Sequence, residues 1–348
     1  MKACVFRAPG DVAVLDVPTP SPGRGEMLIR VGAAGLCHSD VRVYKGEKYA
    51  KPGVIPGHEM AGVVAELGRG VSGFEVGQGV ALCPIVACGE CEFCRAGKRN
   101  RCPKRVTLGY DENGGLAEYV LVPEQIIRLG HVFALPKGLS LPQASLLEPT
   151  ACVLNSIEVL GVAAGTTMLL IGAGPMGLLH LVLARHLGAT VIASEPDEER
   201  AGWARRLGAV ATIDPLVQDV GESVKELTEG RGADAVAVTV GQVPAAASAF
   251  GAVRRQGVIS LFGGFPPNSV LNLDPNVIHY NELVLTGTQN ATTPQYGRAL
   301  AMLPHLDDLR QVVSHTFGIE DAPKAYESRL EHEGLKTEVV FPNVAVSA

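Results

Sequence analysis

No stretch of eighteen uncharged apolar residues occurs anywhere in this 348-residue chain, so no transmembrane helix is expected. No block of basic residues occurs either, and the formal net charge is −6. The electrostatic footprint that nucleic acid or an anionic membrane surface would require is therefore missing. The first residues, "MKACVFRAPGDVAVLDV", run straight into strand-like alternation rather than through a basic segment and an apolar core. The expectation is a soluble cytoplasmic protein with a small-molecule ligand. No internal repeat or low-complexity tract stands out. Cysteine is also scarce, at eight residues, yet half of these fall in "CGECEFCRAGKRNRC", within fifteen residues.

What is present fits a packed α/β protein: 47% hydrophobic residues, 41 glycines, and enough length for two domains with cores. In a reducing cytosol, clustered thiols point to a metal rather than a disulfide framework. The spacing C-x2-C-x2-C-x7-C of Cys88, Cys91, Cys94 and Cys102 lets a short loop wrap four thiolates around one Zn²⁺. An iron–sulfur cluster remains the alternative, because Cys102 is followed by Pro103. A four-thiolate site has no open coordination position, so it staples the loop and does no chemistry.

Reactive ligands must lie elsewhere. "GLCHSD" carries Cys37, "PGHEMAG" carries His58, and "LLEPTA" carries Glu148. One soft, one intermediate and one hard ligand form the mixed set of an open catalytic zinc site. Taken singly, each has a plainer reading: core cysteine, satisfied histidine, helix-closing glutamate before proline.

The nucleotide motif reads independently. In "TTMLLIGAGPMGLLHLVLARHLGATVIASE" an apolar strand passes through Gly172-x-Gly174-x-x-Gly177 into a helical pattern and then a second strand ending in Glu195. Gly172 serves the tight turn, Gly174 the approach of pyrophosphate, and Gly177 the packing of helix on strand. Pro175 and Met176 lie in the same turn, at the helix N-terminus that attracts phosphate. Glu195 is placed to accept hydrogen bonds from both ribose hydroxyls and to repel a 2′-phosphate, which favours NAD over NADP. Arg200, five residues on, is a further cofactor candidate. The plainer reading makes Glu195 a cap for the helix that follows, a role that Asp197 fills better. Later runs such as "ADAVAVTVG", "GVISLFGG" and "LVLTGT" alternate with helical stretches, the pattern of a doubly wound parallel sheet. The expected fold is α/β: a Rossmann domain at 156–289 inserted into a β-rich catalytic domain formed by 1–155 and 290–348, with a metal lobe at 84–105.

With these segments in order, the chain resembles the zinc-dependent medium-chain alcohol and polyol dehydrogenases. "GHEMAGVVAELGRGV", from Gly57 to Val71, matches their zinc signature at Gly57, His58, Glu59, Gly62, Gly68 and Val71. The resemblance covers essentially the whole chain and implies a GroES-like catalytic domain. It also implies a catalytic zinc held by Cys37, His58 and Glu148, with Glu59 beside the metal and exchangeable with water. The cysteine lobe would hold a second, structural zinc, and the assembly would be a homo-oligomer, dimer or tetramer. Ser39 matches the hydroxyl that receives the alcohol proton, and Asp40 the carboxylate that orients the zinc-bound imidazole. Many relatives end the relay in a histidine where this chain has Arg42, which is no base near neutral pH. His38, the ribose or water must then serve, unless His38 instead anchors the pyrophosphate.

Glutamate at position 148 is similar to sorbitol-type polyol and threonine 3-dehydrogenases. The expected reaction is oxidation of a secondary alcohol (a polyol, sugar alcohol or cyclitol) to the ketone. "TGTQNATTPQY" is a candidate source of hydroxyl and amide partners, or a polar hinge. The alternatives are a threonine 3-dehydrogenase-like enzyme and, in another class, a non-catalytic zinc-stapled nucleotide-binding protein.

Overall fold

The computed structural model describes residues 1–331, 333–342 and 344–346. The chain divides into two units, Met1–Ala151 with Ala291–Ala348, and Cys152–Asn290. The first division falls inside the helix Leu147–Val159, so no loop or composition change marks it in the sequence.

The second unit holds a six-stranded sheet, parallel at every pairing, in the order Ala211–Ile213, Thr190–Ser194, Thr167–Ile171, Ala233–Val238, Val253–Leu261, Val284–Gly287. The chain starts in the middle, builds to one edge and then crosses to build the other half, which is the doubly wound Rossmann order. Its central strands are apolar without alternation. Leu169, Ile171, Val236, Val238 and Ile259 pack in one core with Val224, Ala246 and Ala249 of the helices.

The first unit is built on a seven-stranded sheet. Six strands run in the order Val313–Phe317, Lys336–Val340, Met27–Leu36, Glu59–Leu67, Gly79–Leu82, Val132–Ala134, and Tyr119–Val122 pairs with Met27–Leu36. Met27, Ile29, Val31, Met60, Val64, Val120 and Val339 fill its core. Register is what matters for chemistry here. Gly35 lies opposite Glu59 on one side and Glu338 on the other, while Leu36 faces Thr337. The end of one strand and the starts of two others therefore meet beside Cys37. Side-chain alternation makes that meeting point sensitive to a one-residue slip, which would turn every ligand to the other face.

Candidate metal centre and nucleotide site

The four-cysteine segment folds as a small lobe. Strands Ile85–Val86 and Val106–Thr107 close its neck, and the helix Glu92–Arg95 and a 3₁₀ turn Arg99–Arg101 shape the loop between. All four thiols are free, and their sulfurs lie within 4.8 Å of one another. Cys88 and Cys94 Sγ are 3.8 Å apart, far beyond a disulfide and equal to the edge of about 3.8 Å expected for sulfurs around tetrahedral zinc. The Cys91 N–H donates to Cys88 Sγ at 3.4 Å, and the Cys88 N–H to Cys102 Sγ at the same distance. Backbone N–H groups of Glu90 and Cys91 bring the Cys88 pKa down to about 6, whereas burial pushes Cys94 up to about 12. A thiolate stabilised by backbone donors is the species a soft cation requires, so the residues fit zinc.

A second group converges in the first unit: single donor atoms from Cys37, His58 and Glu59 lie within 4.8 Å of one another. Gly57, at φ 89°, turns the chain into the strand Glu59–Leu67, which puts His58 and Glu59 side by side at its start. Cys37 caps the helix His38–Tyr44, and its N–H donates to Asp40 Oδ2 at 2.9 Å. The other oxygen of Asp40 lies 3.4 Å from His58 Nδ1, so one buried carboxylate braces both ligand carriers. With Nδ1 turned to Asp40, Nε2 is the ring nitrogen left for a metal. Burial opposes charge on His58, but Asp40 and then Cys37 outweigh it and raise its pKa well above the usual value. A pocket that gathers so much negative character round a buried imidazole is suited to a cation. Glu59 Oε1 is buried without a hydrogen-bond partner, as expected of a group near a metal. Glu148 stands in the helix Leu147–Val159, buried but outside the group of three.

Two partners of this cluster carry no motif in the sequence. Lys336, buried at the start of the last strand, forms an ion pair with Glu59. A Cβ at Gly35 would run into the same carboxylate, so glycine there makes room for it. Tyr110 shares a 2.6 Å hydrogen bond with Ser39 and packs its ring against His58 with centroids 5.1 Å apart. Arg42 pairs loosely with Glu47. His38 is exposed as a residue, yet its pKa is lowered, first by partial desolvation and then by the cations Arg329, Arg42 and Lys45.

In "TGTQNATTPQY" the side chains of Thr292, Thr293 and Gln295 are engaged within the fold. Gln295 Oε1 accepts from the N–H and hydroxyl of Thr292, capping the helix Thr293–Met302. Thr293 Oγ1 bonds His131 Nε2 at 2.9 Å and Arg99 Nη1 at 3.3 Å. Thr293 thereby ties the start of that helix to the cysteine lobe, to which Arg99 belongs.

In the second unit Gly172, at φ 93°, makes the turn after Thr167–Ile171, and a Cβ on Gly177 would clash with the Gly172 carbonyl. Gly174 caps the helix Pro175–His186 with Pro175 at its first position and no side-chain cap, which leaves first-turn N–H groups open to an anion. Glu195 has a structural task that the sequence does not display. Its Oε2 accepts from Ala173 N at 2.7 Å and its Oε1 from Asp197 N at 3.1 Å, so the buried acid braces the glycine turn itself. Asp197 caps the next helix through the N–H of Arg200.

Comparison with known proteins agrees with this geometry. Residues 23–131 match the alcohol dehydrogenase GroES-like domain, and residues 175–304 match the zinc-binding dehydrogenase family. A sorbitol dehydrogenase of Halalkalibacterium halodurans is 33% identical over 94% of this chain and 95% of its own. This chain belongs to the zinc-dependent medium-chain dehydrogenase family. An L-threonine 3-dehydrogenase of Pyrococcus horikoshii is 36% identical over 82% of each chain. A solved structure from Sinorhizobium meliloti, described as a zinc-binding dehydrogenase bound to NADP, superposes with a TM-score of 0.91 at 29% identity, covering 98% of this chain and 99% of that one. The protein is accordingly an oxidoreductase acting on alcohols. Among the described residues no helix is long and apolar enough to cross a membrane.

Proposed function

We propose that this dehydrogenase oxidises a secondary alcohol of the polyol, sugar-alcohol or cyclitol class to the ketone, with NAD as acceptor and two zinc ions per chain. The observation that carries the reading is the convergence of Cys37, His58 and Glu59 around Asp40, separate from the closed four-cysteine lobe. When bound, the metal polarises the substrate hydroxyl and the nicotinamide accepts hydride. Cys37, His58 and Glu148 supply the catalytic ligands, and Glu59 or water completes them. Lys336 pairs with the Glu59 carboxylate, which favours water in that position. Asp40 fixes the imidazole tautomer. Ser39 Oγ receives the alcohol proton, and its 2.6 Å bond to Tyr110 sets the hydroxyl's direction. His38, flanked by Arg329, Arg42 and Lys45, suits a cofactor phosphate better than a terminal base.

On the nucleotide side, the first-turn N–H groups after Gly174, including those of Met176 and Gly177, receive the pyrophosphate. Glu195 receives the ribose, and Arg200, in the first turn of the next helix, is a further cofactor candidate. The edge strand Val284–Gly287 exposes Val284 and Leu285 along an unpaired sheet margin, which supports association of two copies there.

The similarity to a threonine 3-dehydrogenase favours an amino alcohol as the second reading. A panel of polyols, cyclitols, amino alcohols and simple alcohols, each with NAD and with NADP and read by nicotinamide absorbance, separates the two. Turnover confined to simple primary alcohols would overturn both.

A further inference from the structure

Lys48 lies in the loop between the helix that carries Ser39 and the segment that carries His58. Its Nζ stands 3.6 Å from the centroid of the Tyr110 ring. The same ring touches the His58 imidazole at 5.1 Å, and its hydroxyl holds Ser39 at 2.6 Å. One aromatic ring therefore joins a lysine ammonium, the candidate proton acceptor and a candidate metal ligand.

The ammonium has no acid of its own. The nearby Glu47 pairs with Arg42, Asp40 is committed to Cys37 and His58, and among the described residues no carboxylate pairs with Lys48. A ring face offsets part of a cation's lost hydration, but a carboxylate or phosphate offsets far more. Burial lowers the Lys48 pKa, while Asp40, Cys37 and Glu148 pull it upward. Arg42, a like charge, pushes it down as well. Lys48 is exposed as a residue, yet its ammonium rests on the ring that backs Ser39 and His58 instead of on a carboxylate.

We propose that Lys48 is the anion-recognising residue of the substrate site, and that the alcohol oxidised here carries a carboxylate or phosphate group on the carbon chain beyond its reacting hydroxyl. The inference rests on the dehydrogenase reading above and narrows its substrate class. A neutral polyol would offer Lys48 hydroxyl acceptors but leave its charge uncompensated. A free amine at that end would meet like charge.

The test uses the zinc-loaded, full-length enzyme with NAD and chain-matched substrates: a pentitol, its terminal monophosphate ester and the aldonate of the same chain. At least one anionic member is expected to exceed the pentitol about tenfold or more in kcat/KM, in line with the worth of one charge-assisted contact. Preference for phosphate or for carboxylate identifies the group. Lys48→Met should collapse the anionic-to-neutral ratio by about tenfold to a hundredfold, and Lys48→Arg should keep most of it. Inorganic phosphate should also inhibit pentitol oxidation competitively in wild type and less in Lys48→Met, a measurement that wild type begins without any variant. Equal use of neutral and anionic members, or an equal loss for both in Lys48→Met, would overturn the anion site while leaving the dehydrogenase reading standing. Turnover of no secondary alcohol at all would overturn that reading, and this proposal with it.

Discussion

The cysteine lobe and the Cys37–His58–Glu59 cluster are two candidate metal sites built in opposite ways. The lobe takes four identical ligands from fifteen consecutive residues, closed by a two-residue ladder at Ile85–Val86. Its geometry is nearly local, and with every position filled by sulfur it can only staple. The cluster takes unlike ligands from separate strands and loops, and it exists because sheet register brings Gly35 opposite Glu59. It also needs groups that bind no metal: Asp40 to brace two ligand carriers, Lys336 to hold Glu59, Tyr110 to hold Ser39. A closed site needs spacing, whereas an open site needs a fold.

That contrast can be broken most sharply at Lys336. Replacing it with Met leaves the Glu59 charge buried and unpaired, which should cost about 3–5 kcal/mol of stability, read by denaturant unfolding. The double variant Lys336→Met with Glu59→Gln should recover most of the loss, because no buried charge remains. A single variant as stable as wild type would show that the pair is not what holds Glu59. The pH sign follows from the same pair. Burial lowers the Lys336 pKa, but Glu59 outweighs it and raises it above the ordinary 10.5. Its contribution is complete below 10.5 and disappears as pH climbs beyond, so wild type should lose stability relative to the double variant only in that alkaline range.

Ser39 comes next. Ser39→Ala should lower kcat by roughly a hundredfold, the usual worth of a positioned proton-transfer group, with zinc content and NAD affinity intact. Tyr110→Phe removes only the partner that aims the hydroxyl and should cost about tenfold or less. A Tyr110→Phe loss equal to that of Ser39→Ala would mean that the tyrosine does more than position it.

The smallest effect is expected on the nucleotide side. Glu195→Ser with Pro196→Arg should shift preference toward NADP, since a 2′-phosphate gains a cation and loses a repulsive charge. The shift should be partial, because the same substitution removes the acceptor for Ala173 N and loosens the glycine turn. Kd values for NAD and NADP, compared in both proteins, decide it; unchanged discrimination would mean another residue reads the ribose.

Much of this was legible in the sequence where the signal is local. The four-cysteine spacing, the Gly172–Gly177 turn and the strand–helix alternation after it each depend on residues close along the chain. The zinc-signature segment from Gly57 to Val71 pointed to His58 and Glu59 together. Lys336 and Tyr110 were not legible, because their roles come from strand pairing and side-chain packing across more than fifty residues. A faint signal existed at "LKTEVV", where Lys336 and Glu338 interrupt a strand that the fold buries from Leu335 to Val339. The unit boundary at Ala151 and Cys152 was hidden because a continuous helix crosses it. The sequence proposes a ribose role for Glu195, whereas its bracing of the turn needs the backbone conformation at Ala173, which no residue pattern displays.

The central claim is that the two clusters are separate metal sites with separate purposes, and metal content per folded chain tests it most directly. Purified, unchelated wild type should contain about two zinc ions per chain. Cys37→Ser should retain one, keep a native unfolding transition and lose activity, while Cys91→Ser should lose a zinc together with folding stability. One zinc or none in wild type, or loss of both from Cys37→Ser, would contradict the account.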